Sequence, residues 1–199
     1  MLSDLVSIIS TFVLETIESW GVIGVFVLMT LESANIPIPS EVIMPFSGFL
    51  VGTGVFSFWV IVFVGAFGNL VGSIISYFAA SKLDGKIRSK LEFKRAERWF
   101  NKFGVWSVFI ARLLPIVRTF ISFPAGMFKV NIWKFSALTF AGSLLWSWVL
   151  TRVGFILGEN WSVIEPYFRK FDFAIAGGVL AGVAWRIWHH RKKMLANRR

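Results

Sequence analysis

Cysteine is absent from the 199 residues, and histidine occurs only as the adjacent pair His189 and His190. The first absence excludes a disulfide framework, a thiolate nucleophile and a cysteine metal site. The second leaves no imidazole in any predicted span for metal binding or acid–base work, so no metal and no cofactor is expected. Charge is also scarce: 16% of the residues are Asp, Glu, Lys or Arg, against about 25% in soluble domains. The chain is instead 56% hydrophobic, with 22 Phe, 10 Trp and a mean hydropathy of +0.69. So few polar groups cannot cover a surface, and lipid must do so, which excludes a soluble enzyme or a free nucleic-acid binder. The formal net charge of +10 then reports orientation and contact with anionic lipid. The length suits one membrane domain, residues 1–199, with a few helices.

Proline is rare and unevenly placed: five of the six prolines fall in two apolar stretches. Gly21–Val51 contains Pro37, Pro39 and Pro45, and Gly104–Val130 contains Pro115 and Pro124. Proline removes an amide donor and clashes with the preceding turn, so neither stretch is expected to be one straight helix. Broken backbone at membrane depth survives only inside protein or along a wet cavity. The reading is two re-entrant hairpins, at 20–54 and 104–130, with Gly48 and Gly126 assisting the prolines as breakers. Uninterrupted apolar runs predict spans at 55–81, 132–157 and 171–188. Residues 1–19 carry helical spacing at Leu5, Ile8, Ile9, Phe12 and Val13 and are expected as an interfacial or short helix. Their first charge is acidic, Asp4, which does not fit a secretory signal.

Eight basic residues lie between Lys82 and Lys102, and six more between Arg186 and Arg199. Both segments, a basic amphipathic loop at 82–103 and a tail at 189–199, are expected on the cytoplasmic side. Three spans satisfy this if one hairpin dips from outside and the other from the cytoplasm. An internal repeat points the same way. Gly21-Val-Ile-Gly-Val-Phe26 matches Gly104-Val-Trp-Ser-Val-Phe109, and Trp59 and Trp133 each precede a glycine by nine positions. The fold class predicted is an all-α membrane protein: an inverted repeat of re-entrant hairpin plus transmembrane helix, with an additional C-terminal transmembrane helix.

Four charges lie within the broken stretches: Glu32, Glu41, Arg112 and Arg118. Each costs about 2.5–3.5 kcal/mol at the bilayer centre on insertion scales, so they are expected to face one another or a wet cavity. Opposed hairpin tips would let Glu32 and Glu41 reach Arg112 and Arg118. For Glu41, beside a half-helix start, compensation of the helix dipole is an equal alternative. Guanidinium forks match phosphate bidentately and stay charged, which makes Arg112 and Arg118 candidate phosphate ligands. The carboxylates neutralise them when no anion is bound, and favour proton uptake when one displaces them. A static lock between the repeats would use the same residues.

Glu32-Ser-Ala-Asn-Ile-Pro37-Ile-Pro39-Ser-Glu41, followed by Pro45 and Gly48, resembles the first-hairpin motif of the DedA family, the SNARE-associated or VTT-domain superfamily. Ala111-Arg112-Leu-Leu-Pro115-Ile-Val-Arg118-Thr119, then Pro124-Ala-Gly126, resembles the second. The resemblance spans about residues 20–160. It implies lipid translocation across the bacterial cytoplasmic membrane, with undecaprenyl phosphate, a polyprenyl-phosphate lipid, as expected substrate and partner. It also implies roles for Glu32, Glu41, Arg112 and Arg118. Separately, no enzymatic activity is expected, because both histidines lie in the basic tail and Glu32 with Glu41 is too sparse a set for metal chemistry. A flippase for another phospholipid such as phosphatidylethanolamine and a proton- or cation-coupled exchanger remain open alternatives. Oligomeric state is not legible in the sequence.

Overall fold

The computed structural model describes residues 2–36, 38–82, 100 and 103–157. Among them all regular structure is helical. The elements are α1 (Leu2–Ser33), α2 (Ser40–Gly52), α3 (Phe58–Ser81), α4 (Trp106–Arg112), α5 (Pro115–Phe120), α6 (Ser122–Met127) and α7 (Ile132–Leu157). Three stretches are long and apolar enough to cross a membrane: Ser10–Ser33, Phe58–Ser81 and Ile132–Leu157. The protein is therefore a multi-pass helical membrane protein. The last two stretches coincide with the runs expected at 55–81 and 132–157. The span at 171–188, the tail at 189–199, most of the basic loop at 82–103 and Pro37 lie outside the described residues.

The first stretch is not a straight rod. Gly21 adopts φ 58° and ψ −133° inside α1, a conformation that glycine reaches because it has no Cβ. The bend is sharp enough that a Cβ on Gly24 would lie 2.6 Å from the Thr16 carbonyl oxygen. The expected boundary between 1–19 and 20–54 thus falls at a kink, where two helical segments meet at Gly21. The helix ends in a tight turn: Asn35 has φ 72°, and the Ile36 amide donates to the Leu31 carbonyl at 3.1 Å. This left-handed cap is one that asparagine tolerates. Ser76 Oγ of α3 bonds both the Ser33 carbonyl (3.1 Å) and Asn35 Oδ1 (3.0 Å), fixing the turn to its neighbour.

α3 packs against α1, α6 and α7, while α7 packs against α2, α3 and α4. These crossings run backbone to backbone. A Cβ on Gly72 would meet the Thr30 carbonyl oxygen at 2.1 Å, one on Gly126 the Tyr77 carbonyl oxygen at 2.1 Å, and one on Gly154 the Pro45 carbonyl oxygen at 1.9 Å. Small residues permit such approach, and in lipid it is close packing rather than water exclusion that joins helices. Around the crossings, Val25, Leu28, Met29, Ile43, Met44 and Ile61 form one buried cluster, and Tyr77, Val108, Ala125 and Phe135 a second. Trp59, Phe63, Ile75, Trp133 and Ile156 remain exposed and form the lipid-facing surface.

Three residues expected to break the hairpins do not. Pro45 lies inside α2, and the helix continues through it to Gly52. The Pro45 carbonyl packs against Gly154 of α7. Gly48 and Gly126 are helical crossing points, facing Thr151 and Tyr77 respectively. The other described prolines stand at or near helix starts. Pro39 caps α2, and Pro115 occupies the first turn of α5, where its missing amide has no intrahelical partner to lose. Pro124 is the third residue of α6, and Ile121, between α5 and α6, keeps helical angles of φ −63° and ψ −27°.

Candidate functional site

The chain places three expected residues in the protein interior: Glu32 at the end of α1, Arg112 at the end of α4, and Arg118 in α5, with exposures of 4%, 1% and 2%. Glu41, in the first turn of α2, is half-buried. Asn69 and Ser143, which touch this cluster, each lie about 17 Å along their helices from Phe58 and Ile132 at 1.5 Å per residue. Both are near the middle of a span-length helix, so the cluster sits at mid-depth of the helical frame.

Arg118 is the carboxylate-bound cation. Its Nη2 lies 2.6 Å from Glu32 Oε1 and 3.7 Å from Glu41 Oε1, and it also donates to Ser40 Oγ. Ser33 Oγ (3.2 Å), Thr119 Oγ1 (3.4 Å) and Asn69 Nδ2 (3.4 Å) donate to Glu32. The guanidinium carbon stands 5.0 Å from the centroid of the Trp146 ring, within cation–π range. One guanidinium thus joins the two sides of the structure, because Glu32 and Glu41 flank the first break and Arg118 follows the second.

Arg112 differs. It reaches neither carboxylate; its Nη1 donates to Asn69 Oδ1 at 2.8 Å, and its Nη2 to Ser73 Oγ at 2.6 Å and Ser122 Oγ at 2.8 Å. Ser143 Oγ bonds the same Asn69 Oδ1 at 2.7 Å. Asn69 therefore bridges Arg112, Ser143 and, through its amide nitrogen, Glu32. The expectation that both acids pair with both arginines holds for Arg118 only. Among the described residues, neutral groups cage Arg112 and no carboxylate lies at contact distance.

The sequence reading missed Asn69, Ser73, Ser122, Ser143 and Trp146. A signal for the α3 and α7 members was present. Asn69, Ser73 and Ser76 recur at helical spacing beside Gly65, Gly68 and Gly72, and Thr139, Ser143, Ser147 and Thr151 do the same on α7. Polar and small residues on one face of an apolar helix mark a helix-packing face. Among the described residues, no group of three or more His, Asp or Glu side chains comes together. The donors that do converge, guanidiniums, amides and hydroxyls, suit an oxyanion.

The VTT domain profile matches residues 38–156. The chain belongs to the VTT-domain family, which is the DedA family. It is 31% identical to undecaprenyl phosphate transporter A of Bacillus subtilis, over 92% of this chain and 94% of that protein. It is 28% identical to undecaprenyl phosphate transporter A of Staphylococcus aureus, over 75% and 80%. An alkaline phosphatase-like protein of Lactococcus lactis subsp. cremoris is 32% identical over 82% and 83%. No solved structure matches.

Proposed function

We propose that this VTT-domain protein carries an anionic lipid, polyprenyl (undecaprenyl) phosphate, across the bacterial cytoplasmic membrane, with Arg118 and Arg112 binding its phosphate. The observation that carries the reading is a buried guanidinium, Arg118, clamped at mid-depth by Glu32 and Glu41. Phosphate oxygens match the same fork bidentately, so the headgroup can exchange with the carboxylates at one cation. Arg112, held by neutral groups, supplies attraction that no contacting carboxylate cancels. The relatives named as undecaprenyl phosphate transporters support this substrate.

The reading includes two opposed re-entrant hairpins, at 20–54 and 104–130, related by an inverted repeat. α2 has 13 residues and α4 seven, and both are shorter than the roughly 20 needed to cross. Reciprocal packing supports the repeat. A Cβ on Gly68 of α3 would meet the Phe26 carbonyl and Met29, and one on Gly142 of α7 the Phe109 carbonyl and Arg112. Phe26 and Phe109 are the matched residues of the sequence repeat, and Met29 and Arg112 each follow by three. Tyr77 and Thr151, each nine residues past those glycines, receive Gly126 and Gly48. Each long helix thus holds the first arm of its own hairpin and the second arm of the other. The basic loop at 82–103 and the tail at 189–199 face the cytoplasm in this arrangement.

Proton coupling belongs to the same reading, because Glu32 and Glu41 lose their counter-charge when the headgroup takes Arg118. The test is reconstitution into vesicles, following access of a fluorescent polyprenyl phosphate to the opposite leaflet, with proton flux and phosphate release recorded in parallel. Wild-type protein moves the lipid, and Arg118→Ala inserts normally but abolishes movement. Proton flux without lipid movement would favour the exchanger, and phosphate release would favour a hydrolase.

A further inference from the structure

Among the described residues, the hydrogen bonds of the cluster leave three buried N–H donors without a partner: Arg112 Nε, Arg118 Nε and Trp146 Nε1. Buried polar groups are nearly always satisfied, and an exception calls for an explanation. Thr139, Ser147 and Thr151 hydroxyls are also unpartnered, but a hydroxyl rotates and can turn to the carbonyl one turn back. An indole or guanidinium N–H is fixed by a rigid plane and cannot re-aim without moving the whole group. Two of the three donors belong to groups stacked on each other, since the Arg118 guanidinium lies 5.0 Å from the Trp146 ring centroid. Both are donors only, so whatever satisfies them must accept.

We propose that Trp146 Nε1 and Arg118 Nε are donors of the phosphate site, each bonding a headgroup oxygen once Glu32 and Glu41 give up Arg118. The inference rests on the function proposed above and adds a residue that the charge pattern alone does not reveal. Trp146 would then act in two ways: its ring face steadies the guanidinium, and its edge recognises the anion. A lipid with a neutral headgroup uses neither donor.

The full chain in nanodiscs, titrated with farnesyl phosphate and separately with farnesol, tests this. Trp146→Phe keeps an aromatic ring beneath Arg118 but loses the N–H together with one ring of the indole. It should lower affinity for farnesyl phosphate about tenfold, the worth of one hydrogen bond to a charged acceptor, and leave farnesol binding unchanged. Trp148→Phe, a lipid-exposed neighbour on the same helix, should bind as wild type. In wild-type chain labelled with nitrogen-15 at the indoles, one indole N–H resonance should move with farnesyl phosphate and stay with farnesol. Equal affinity in Trp146→Phe and wild type overturns the role of Trp146 while leaving the proposed function intact. Wild type that binds no farnesyl phosphate overturns both. Should Trp146→Phe fail to fold, an indole spectrum unmoved by farnesyl phosphate refutes the proposal by itself.

Discussion

Replacing Glu32 with Gln should tighten phosphate binding while slowing transport. The carboxylate holds Arg118 at 2.6 Å and is almost wholly buried. The substitution keeps the shape and a neutral acceptor, and Glu41 remains 3.7 Å away, so the guanidinium is not left without a counter-charge. The 3–5 kcal/mol typical of an orphaned buried charge is therefore not incurred. What disappears is the difference between a charged hydrogen bond, about 1.5–3 kcal/mol, and a neutral one, about 0.5–1.5 kcal/mol. An incoming phosphate no longer has to displace that difference, about 1–1.5 kcal/mol, so its affinity rises about tenfold. Release slows for the same reason, because the competitor that expels the headgroup is weaker. Glu41→Gln, at the longer distance and with its side chain 22% exposed, should raise affinity less than threefold. Farnesyl phosphate titration in nanodiscs, beside leaflet-access kinetics in vesicles, reads both effects. Weaker binding by Glu32→Gln, or a larger gain from Glu41→Gln than from Glu32→Gln, would refute competition at Arg118.

Asn69→Asp gives Arg112 a carboxylate in place of the amide oxygen it now holds at 2.8 Å and sets the other oxygen where the amide nitrogen now donates to Glu32 at 3.4 Å; affinity for farnesyl phosphate should fall about tenfold in the same titration, and the melting temperature of the detergent-solubilised protein should fall with it. Gly154→Ala drives a methyl to 1.9 Å from the Pro45 carbonyl oxygen, and backbone cannot yield as a side chain does. A destabilisation of at least about 3 kcal/mol should appear as a large fall in melting temperature or as aggregation on extraction. Tyr77→Phe removes the 2.6 Å bond from the Tyr77 hydroxyl to the Val130 carbonyl, and thermal unfolding should show a loss of about 1 kcal/mol.

Two of the long helices were legible because an uninterrupted apolar run longer than the hydrocarbon is thick has few alternatives. α3 begins at Phe58 and α7 at Ile132, within a few residues of the expected 55 and at the expected 132. Glu32, Arg112 and Arg118 could be singled out because charge inside such runs demands a protein surrounding. Their pairing could not. Arg112 was expected to seek a carboxylate, yet Asn69, Ser73 and Ser122 surround it. Uncharged polar residues cost little to insert and so leave a faint mark on hydropathy. Pro45 misled for a different reason: it stands in the second turn of α2, which continues past it, and the Gly154 that packs on its carbonyl comes from more than a hundred residues away. Gly21 carried no local signal of its left-handed φ, since glycine is equally compatible with an undisturbed helix.

The glycine crossings also bear on how such a molecule could change shape. Where carbonyl meets α-carbon with no side chain between, there is no compliant layer to slide or compress, and interiors this dense transmit strain rather than absorb it. α3 and α7 with the arms pinned to them behave as a stiff chassis. The turns beside it are bonded as well: Ala34, Asn35 and Ile36 donate to the last turn of α1, and Leu113 and Leu114 to the end of α4, which leaves the side chains at the tips to rearrange. A transport cycle built on this chassis would proceed by small rearrangements at its tips, with the carboxylates and Arg118 as the contacts that open and close.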